Sequence, residues 1–244
     1  IWYEYTPDTL QHHCWGCGGV GMTITTFYPN KDSDSSPTSV DGYFRNDESG
    51  SGGASWADIR SRTSGSACYD DHNSLRAMIK AFTSNWSEIQ RAMLGFDKSS
   101  IDGDNIVSAT LDLVCIFNND YFTDSCSLVD ATPLSNTALV VDDYDHLGTT
   151  KQATDRPFST ITNDSSTHES FTLNATGLTR IGGNGVINFG LKTKRDNDND
   201  EPTITSGQDS TIRFASADET LSGDKRPRLV ITHTSPFTPK AIMF

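Results

Sequence analysis

Four side chains of types that bind zinc lie close together near the N terminus. They are His12, His13, Cys14 and Cys17, within the sequence HHCWGC, and His nitrogen and Cys sulfur are common zinc ligands. Adjacent histidines seldom bind the same ion, and no second CxxC sequence follows. Free thiols, or a disulfide that involves Cys14 or Cys17, are therefore expected ahead of zinc.

Two further cysteines, Cys115 and Cys126, flank the polar sequence NNDYFTD. A hairpin at this sequence would place them on neighbouring strands, where a cross-strand disulfide depends on the register. Cys68 has no partner if both pairs form a bridge. Five cysteines in 244 residues do not make a disulfide-rich scaffold, so we do not expect disulfides to define the fold.

The sequence DNDND at residues 196–200 alternates Asp with Asn. The carboxylate oxygens of Asp196, Asp198 and Asp200 are the hard ligands that Ca²⁺ prefers. An EF-hand is excluded because the required Gly and downstream Glu are missing. A solvated loop between strands is thus the first interpretation of this segment, and Ca²⁺, the cofactor that it would hold, is the alternative.

Exposed aromatic rings beside Asp and Asn could bind sugars, by stacking on the sugar ring and by hydrogen bonds to its hydroxyls. Tyr121 and Phe122 are the first candidates because they lie in a polar, hairpin-like sequence. Trp56, Trp86 and Tyr144 complete the set. For each Trp, however, packing in the core is expected ahead of sugar binding.

Sequence signals of catalysis are missing. The chain has no GxSxG, no HExxH and no phosphate-binding glycine loop. The six Glu residues lie in polar or terminal contexts, whereas glycoside hydrolysis needs one acid in an apolar setting. His168 and His233 are isolated, and we expect His233, at the end of a strand, on the surface. The sequence predicts that the protein is not an enzyme.

Composition narrows the class of protein. The chain has 19 Lys and Arg against 32 Asp and Glu, a net charge of −13 and 34% hydrophobic residues. Asp predominates, and Asp favours turns and strand ends. The negative charge disfavours nucleic acid as a partner, and no run approaches the roughly 18 apolar residues of a membrane span. The chain opens at Ile1 without the features of a signal peptide, which indicates a processed or partial product.

The pattern of elements predicts an all-β fold. From Thr23 onward, short β-prone runs alternate with Asp, Asn, Gly and Ser clusters, which indicates eight to ten strands in two packed sheets. The clearest strand is residues 106–117, with Val107 and Ala109 on its buried side. One helix is predicted at residues 74–82 because apolar residues recur there at helical spacing.

The N-terminal segment differs from the rest of the chain. Residues 1–22 form a predicted irregular arm before a sandwich at 23–234 and a tail at 235–244. Clusters of exposed aromatic residues mark interfaces, so we expect the arm to dock on a neighbouring subunit, and the apolar tail to do the same. The aromatic residues of the arm are Trp2, Tyr3, Tyr5 and Trp15.

Several blocks of sequence resemble a known domain family. RAMLGFDKSSIDGDNIVSATLDL at residues 91–113 and the closing segments at 171–178, 187–196 and 212–233 resemble the strands of DNRLRE or carbohydrate-binding-module-like jelly-roll domains. TTFYP, WADIR and DDYDHLGTTK are similar to a variant that recurs in proteins of tailed viruses and marine microbes. The resemblance implies a jelly-roll β-sandwich of two antiparallel sheets. The acidic DNRLRE run is absent, so ligand chemistry tied to that run is not implied.

The same blocks indicate the core. The FDKSSID segment predicts that Phe96 lies in the core and is followed by a turn capped by Asp and Ser. RPRLVITH predicts an inner strand that begins after Pro227. The predicted core residues are Phe96, Leu111, Leu113, Leu173, Phe189, Leu191, Phe214, Leu229 and Ile231.

The first functional hypothesis is a non-catalytic structural protein of a virus particle, either a capsid decoration or a tail or fibre component. Its arms would hold it in a symmetric homo-oligomer or against neighbouring virion subunits, with contact to host glycans as an added role. One alternative is a secreted or cell-surface carbohydrate-binding module. Another is a subunit of an extracellular microbial filament assembled by strand exchange. All place the protein on a virion surface or outside the cell.

Overall fold

The computed structural model describes residues 21–220 and 223–236, which form an all-β sandwich of the jelly-roll type. The prediction of fold class is therefore confirmed. The zinc and CxxC predictions at His12, His13, Cys14 and Cys17 lie outside the described residues. So do the arm residues Trp2, Tyr3, Tyr5 and Trp15, and the end of the tail at 237–244.

Thirteen strands and three short helices make up the described part of the chain. The strands are β1 (Thr23–Phe27), β2 (Asp41–Asp47), β3 (Ala67–Tyr69), β4 (Ser74–Phe82), β5 (Asn85–Asp97), β6 (Asn105–Asp120), β7 (Ser125–Ala131), β8 (Leu147–Lys151), β9 (Arg156–Pro157), β10 (His168–Thr172), β11 (Val186–Thr193), β12 (Asp209–Ala215) and β13 (Arg228–Thr234). The helices are α1 (Trp56–Arg60), α2 (Ala175–Ile181) and α3 (Lys194–Asp198). None of these helices is long and apolar enough to cross a membrane.

Two long strands connect the parts of the sandwich. The strand order is β1-β13-β6-β12-β4-β5-β11-β7-β8, all antiparallel. β6 pairs with β13 along its first half and with β12 along its second half. β10 pairs with the middle of β6, at residues 110–114. β5 likewise pairs with β4 and then β11, and also with β2. Each long strand therefore has different neighbouring strands along its two halves.

The main core contains all nine residues predicted from the sequence, which confirms that prediction. Each of the nine is at most 5% exposed. The turn after Phe96 also has the predicted form, because Asp97 accepts a hydrogen bond from the backbone N–H of Ser99 and Ile101 is buried. A second cluster contains Phe44, Trp56, Trp86 and Tyr144.

Residues 74–82 form strand β4, so the predicted helix is wrong. Helical spacing arose because Met78 and Phe82 are apolar although they lie on the face opposite Leu75, Ala77 and Ile79, where Met78 is also buried and Phe82 is exposed. The strand buries every second side chain, at Leu75, Ala77, Ile79 and Ala81. Its two edges pair with β5 and β12, and such pairing outweighs the helical tendency of a nine-residue segment, which is weak in isolation.

Strand β6 begins slightly differently from its predicted pattern. Ala109, Leu111 and Leu113 are buried as expected, but Val107 is 43% exposed. The β6–β13 register shifts here, since Thr232 faces Ser108 and His233 faces Ile106. Val107 is therefore the extra residue of a β-bulge, which displaces it from the buried side.

Candidate functional site

A groove crosses the strands β6, β12, β4, β5 and β2. Opposed residues on antiparallel neighbours lie on the same face, so the strand registers arrange its lining in three rows. The first row is Phe117, Arg213 and Arg76. The second row is Asn119, Thr211, Met78, Gln90 and Arg45. The third row is Asp209, Lys80 and Glu88. Tyr43 completes the lining, and the groove has a volume of about 340 Å³.

Two arginines face each other in the first row. Arg76 on β4 is directly opposite Arg213 on β12. The Arg76 guanidinium lies over the ring of Tyr43, 4.5 Å from its centroid, and that of Arg213 lies over Phe117, 4.7 Å from its centroid. Like charges directly opposite on neighbouring strands destabilise a sheet. Stacking on the two rings holds both guanidinium planes in place despite this repulsion.

Neutral groups surround Arg76. Its Nε donates to Ser74 Oγ at 3.1 Å, and its Nη2 lies 3.0 Å from His72 Nε2. Because a guanidinium only donates, His72 Nε2 must accept, and His72 Nδ1 then donates to Ser74 Oγ at 3.1 Å. Desolvation lowers the pKa of His72, and the charge of Arg76 lowers it further, in agreement with a neutral ring.

Arg213 has fewer partners still. Within residues 21–220 and 223–236 it donates no hydrogen bond and forms no salt bridge, and its Nε is buried. Arg76 forms no salt bridge within the same residues either. The first row therefore presents two positively charged side chains that form no salt bridge within the described residues, although Glu88 lies near enough to Arg76 to act on it electrostatically.

The third row is balanced in charge, in contrast to the first. Lys80 lies between Asp209 and Glu88 on the neighbouring strands. Glu88 also has a partner in the second row, because Arg45 Nε lies 2.7 Å from Glu88 Oε1. The excess of positive charge in the groove is thus confined to Arg76 and Arg213.

The second row supplies uncharged hydrogen-bonding groups. Gln90 is 5% exposed, and its Nε2 donates to Glu88 Oε1 at 2.6 Å. Its Oε1 is buried and has no hydrogen-bond partner among the described residues. A buried carbonyl oxygen without a partner costs free energy, so a ligand hydroxyl that reached this atom from the groove would gain a hydrogen bond at little cost.

The sequence did not identify the groove. Arg76 and Lys80 lie on the same face of β4, and these two charged residues could have been used as a sequence signal of a polar strand face. Helical spacing concealed this signal, because residues 74–82 were assigned to a helix. The partners of these residues lie on distant strands, and only the register brings them together.

Most of the predicted sugar-stacking residues come together, but in the interior. Trp56 and Trp86 lie 4.9 Å apart between ring centroids, Trp86 and Phe122 5.5 Å, and Tyr121 and Phe122 5.3 Å. Trp86, Trp56 and Phe122 are buried, and Tyr121 is 48% exposed. Trp56 and Trp86 therefore pack in the core, as expected for each Trp, and Phe122 is buried against them, contrary to its prediction as an exposed stacking ring. Of these four rings, Tyr121 alone is exposed.

Tyr144 is also buried, which excludes it as a stacking platform. The Arg91 guanidinium lies 4.2 Å from the centroid of its ring, and its hydroxyl donates to the carbonyl oxygen of Ile59 at 3.3 Å. Burial raises the pKa of Tyr144. Tyr144 is a structural residue of the second cluster.

The three aspartates of the predicted calcium site do not converge. Asp196 is buried against Arg91 and Arg60, Asp198 binds Lys151 and Lys194, and Asp200 binds Arg195. The DNDND segment begins in helix α3, where alternate positions point in different directions. No metal-binding group of three His, Cys, Asp or Glu residues occurs in the described ranges. The geometry thus contradicts a calcium site at these carboxylates.

Cys115 and Cys126 are buried free thiols, and Cys68 is a partly buried free thiol. The expected hairpin between the first two is not formed. β6 pairs with β10, β12 and β13, whereas β7 pairs with β8, β9 and β11. The segment between β6 and β7 therefore connects two strands that do not pair, and no cross-strand disulfide joins them.

His233 is buried, contrary to the prediction of a surface position. Its Nδ1 lies 2.6 Å from Asp104 Oδ2, and its Nε2 lies 2.9 Å from Thr25 Oγ1. The order of carboxylate, imidazole and hydroxyl matches that of a hydrolytic triad. Thr25 lies in the middle of β1, in register with Ile231 of β13. The hydrogen bonds that join Thr25, His233 and Asp104 therefore connect β1, β13 and the start of β6.

Comparison with known proteins assigns no family. No protein-family model matches the chain, and no curated protein matches it either. The groove and its chemistry are therefore the basis on which a function can be proposed.

Proposed function

We propose that the chain is a non-catalytic protein of an extracellular surface that binds carbohydrate in the groove. The observation that carries the proposal is a polar face five strands wide, with a buried, unpartnered carbonyl oxygen at Gln90. Five strands at a spacing of about 4.8 Å make the face roughly 19 Å wide. An extended oligosaccharide of a few units suits a groove of this width.

The side chains of the groove suit the recognition of hydroxyl groups. The amide oxygens of Asn119 and Gln90 lie along the second row, beside the buried Thr211 hydroxyl that donates to Asp209, and the partly exposed ring of Phe117 offers apolar area. Sugar hydroxyls donate and accept hydrogen bonds, so they can donate to these oxygens. This combination of polar groups and ring area favours carbohydrate over an apolar ligand.

The carboxylates of the groove favour binding over hydrolysis. Glycoside hydrolysis uses two carboxyl groups, one as the acid and one as the base or nucleophile. Glu88 is engaged by Arg45 and Gln90, and Asp209 accepts from Thr211 Oγ1. Both carboxylates therefore serve to position neighbouring side chains.

A binding experiment with the full chain tests the proposal. The chain is applied to an array that carries neutral and acidic glycans, and hits are measured by calorimetry. Gln90→Leu removes the unpartnered carbonyl, so we expect its affinity to fall about fivefold or more. Gln152→Leu is the matched control, because Gln152 is also buried with an unpartnered Oε1 but lies outside the groove. Absence of any glycan binding by the full chain contradicts the proposal.

The setting proposed first is a virus particle, in which the chain is a capsid decoration or a tail or fibre component. A secreted or cell-surface binding module and a filament subunit are the alternatives. The resemblance of the sequence to domains in tailed-virus proteins supports the first setting. Purification of the native particle or surface that contains the chain distinguishes among these settings.

A second candidate function, self-association, is supported by the outer face of the sheet β1-β13-β6-β10. The strand registers align Thr26, Val230, Thr110 and Thr172 in one row, and Ile24, Thr232 and Ser108 in the next. None of these side chains is charged, whereas the chain carries a net charge of −13. Two copies of so acidic a protein repel each other, so these two uncharged rows, which end at the ion pair of Arg228 and Asp112 in the next row, are where a second copy can approach closely.

Light scattering on the full chain tests this second candidate. Thr110→Glu places a charge in the centre of the face and should shift the oligomer toward monomer. Thr203→Glu, at an exposed loop position, is the control with the same change of charge. A monomeric wild-type chain, or an oligomer that is insensitive to Thr110→Glu, contradicts self-association through this face.

A further inference from the structure

The first row of the groove has an unbalanced charge that carbohydrate hydroxyls alone do not explain. Arg76 and Arg213 are opposed on neighbouring strands, and neither forms a salt bridge with the described residues. Elsewhere the same face balances its charges, as Lys80 shows between Asp209 and Glu88. The chain has 13 more acidic than basic residues. The lack of a salt bridge to this pair therefore does not reflect a shortage of carboxylates.

We infer that the groove selects acidic saccharides, with Arg76 and Arg213 binding one carboxylate or sulfate group of the ligand. This inference rests on the proposed function, since it names the class of carbohydrate that the same groove binds. An oxyanion between the two guanidinium groups relieves their mutual repulsion and satisfies their free N–H donors. Guanidinium groups bind carboxylate and sulfate through paired hydrogen bonds, which a hydroxyl group cannot form.

The geometry prepares both arginines for such a ligand. Tyr43 and Phe117 support one face of each guanidinium plane, so little side-chain freedom is lost when the anion binds. Arg76 uses Nε and Nη2 for Ser74 and His72, which leaves Nη1 for a ligand. Arg213 uses none of its donors within the described residues.

Burial strengthens the preference for an anion. Desolvation lowers the pKa of Arg76, and the neighbouring charge of Arg213 lowers it further. A partly desolvated cation interacts with an anion more strongly than one in water. Gln90 lies in the adjacent row, where its free carbonyl can accept from a hydroxyl of the same sugar. Acid and hydroxyl recognition are thus adjacent in one groove.

Calorimetry on the full chain with four polymers tests the inference. The probes are polygalacturonate, which carries carboxylates; dextran sulfate, which carries sulfates; neutral dextran; and polyglutamate, an acidic chain without sugar. We expect an acidic saccharide to bind at least about tenfold more tightly than dextran, and its affinity to fall as salt rises. The relative affinities for polygalacturonate and dextran sulfate identify which acid group is preferred.

Matched variants locate the effect. Arg213→Gln should weaken binding of the acidic saccharide about tenfold. Arg213→Lys keeps the charge but loses the planar donor pair, so we expect an intermediate loss. Arg76→Gln is the second variant if the first does not fold. Arg62→Gln removes an equally positive but exposed side chain outside the groove, and should have no effect.

The outcomes separate this inference from the proposed function. Equal binding of acidic and neutral saccharides, unaffected by Arg213→Gln, overturns the inference and leaves carbohydrate binding standing. If polyglutamate binds as tightly as the acidic saccharides, the inference that carbohydrate carries the recognised acid group is overturned. If no saccharide binds, in this test or on the array, both proposals are overturned.

Discussion

Arg91 Nε lies 2.8 Å from Asp196 Oδ2, and Arg91 Nη2 lies 2.9 Å from Asp196 Oδ1, so the two side chains form a buried, two-bond ion pair. Arg60 donates to the backbone carbonyl of Asp196 as well. Burial opposes ionisation of Asp196, but the charges of Arg91, Lys192 and Arg60 lower its pKa overall. The pair fastens helix α3 to strand β5.

Asp196→Asn should destabilise the fold strongly, because it leaves the buried guanidinium of Arg91 and the partly buried one of Arg60 without their anion. Loss of one partner of a buried pair costs about 3–5 kcal/mol. Asp200→Asn in the same acidic run is the control, since Asp200 is largely exposed beside Arg195 and such pairs contribute at most about 1 kcal/mol. Chemical denaturation measures both variants, and equal effects would contradict the assignment.

Asp41 should make stability depend on pH. Its carboxyl is 1% exposed, and it accepts one hydrogen bond, from the N–H of Ala217. Desolvation raises the pKa of Asp41 from 3.8 to about 8. Between these values the folded state holds a proton that the unfolded chain has released, so this contribution is complete below pH 3.8 and is lost as the pH rises to about 8.

Asp41→Asn removes this dependence because Asn imitates the protonated acid. We expect the variant to exceed the wild type in stability by about 1 kcal/mol or more near pH 8, or roughly 2–4 °C in Tm. Near pH 4 the two should have similar midpoints. Parallel curves of Tm against pH for the two proteins would contradict the proposed titration of Asp41.

Calcium should not stabilise the described fold through Asp196, Asp198 and Asp200, because lysine and arginine already occupy these carboxylates. A ligand that binds the folded state raises its stability in proportion to the logarithm of its concentration. We expect millimolar CaCl₂ or EDTA to change Tm by less than about 1 °C. A larger rise with CaCl₂ that Asp198→Asn abolishes would restore the calcium hypothesis.

Cys115 and Cys126 should react slowly with iodoacetamide in the native protein. Desolvation raises the pKa of the Cys115 thiol to about 11 and that of Cys126 further, and only the thiolate reacts rapidly. Both should be alkylated at once in guanidinium chloride. Peptide mapping by mass spectrometry reads each cysteine separately. Equal rates of Cys126 alkylation in the native and unfolded protein would contradict this assignment.

Local sequence determined the strands and the main core. A side-chain period of two along 106–117 and the turn after Phe96 identified β6 and its connection to β5. These signals are short-range, because the pleat alternates side chains between faces whatever the strand pairs with. The nine core residues followed from the same alternation and from the family resemblance.

The same local signals gave wrong predictions where a segment fitted both the helical and the strand period, and where a strand contained a bulge. Residues 74–82 satisfied the helical period, yet their edges pair with β5 and β12. Val107 has the right alternation, yet a shift in the β6–β13 register exposes it. Trp86 and Tyr144 have the chemistry of sugar-binding rings, yet neighbouring segments cover them.

Tertiary structure alone decided the groove. Arg76, Arg213 and Gln90 each occupy an ordinary strand position, and nothing near them in the sequence marks them as neighbours. Their proximity depends on which strands pair and in which register, and a shift of one residue would turn each side chain to the other face. The sequence alone determined a negatively charged β-sandwich; the pairing of distant strands decided where that sandwich carries two opposed positive charges.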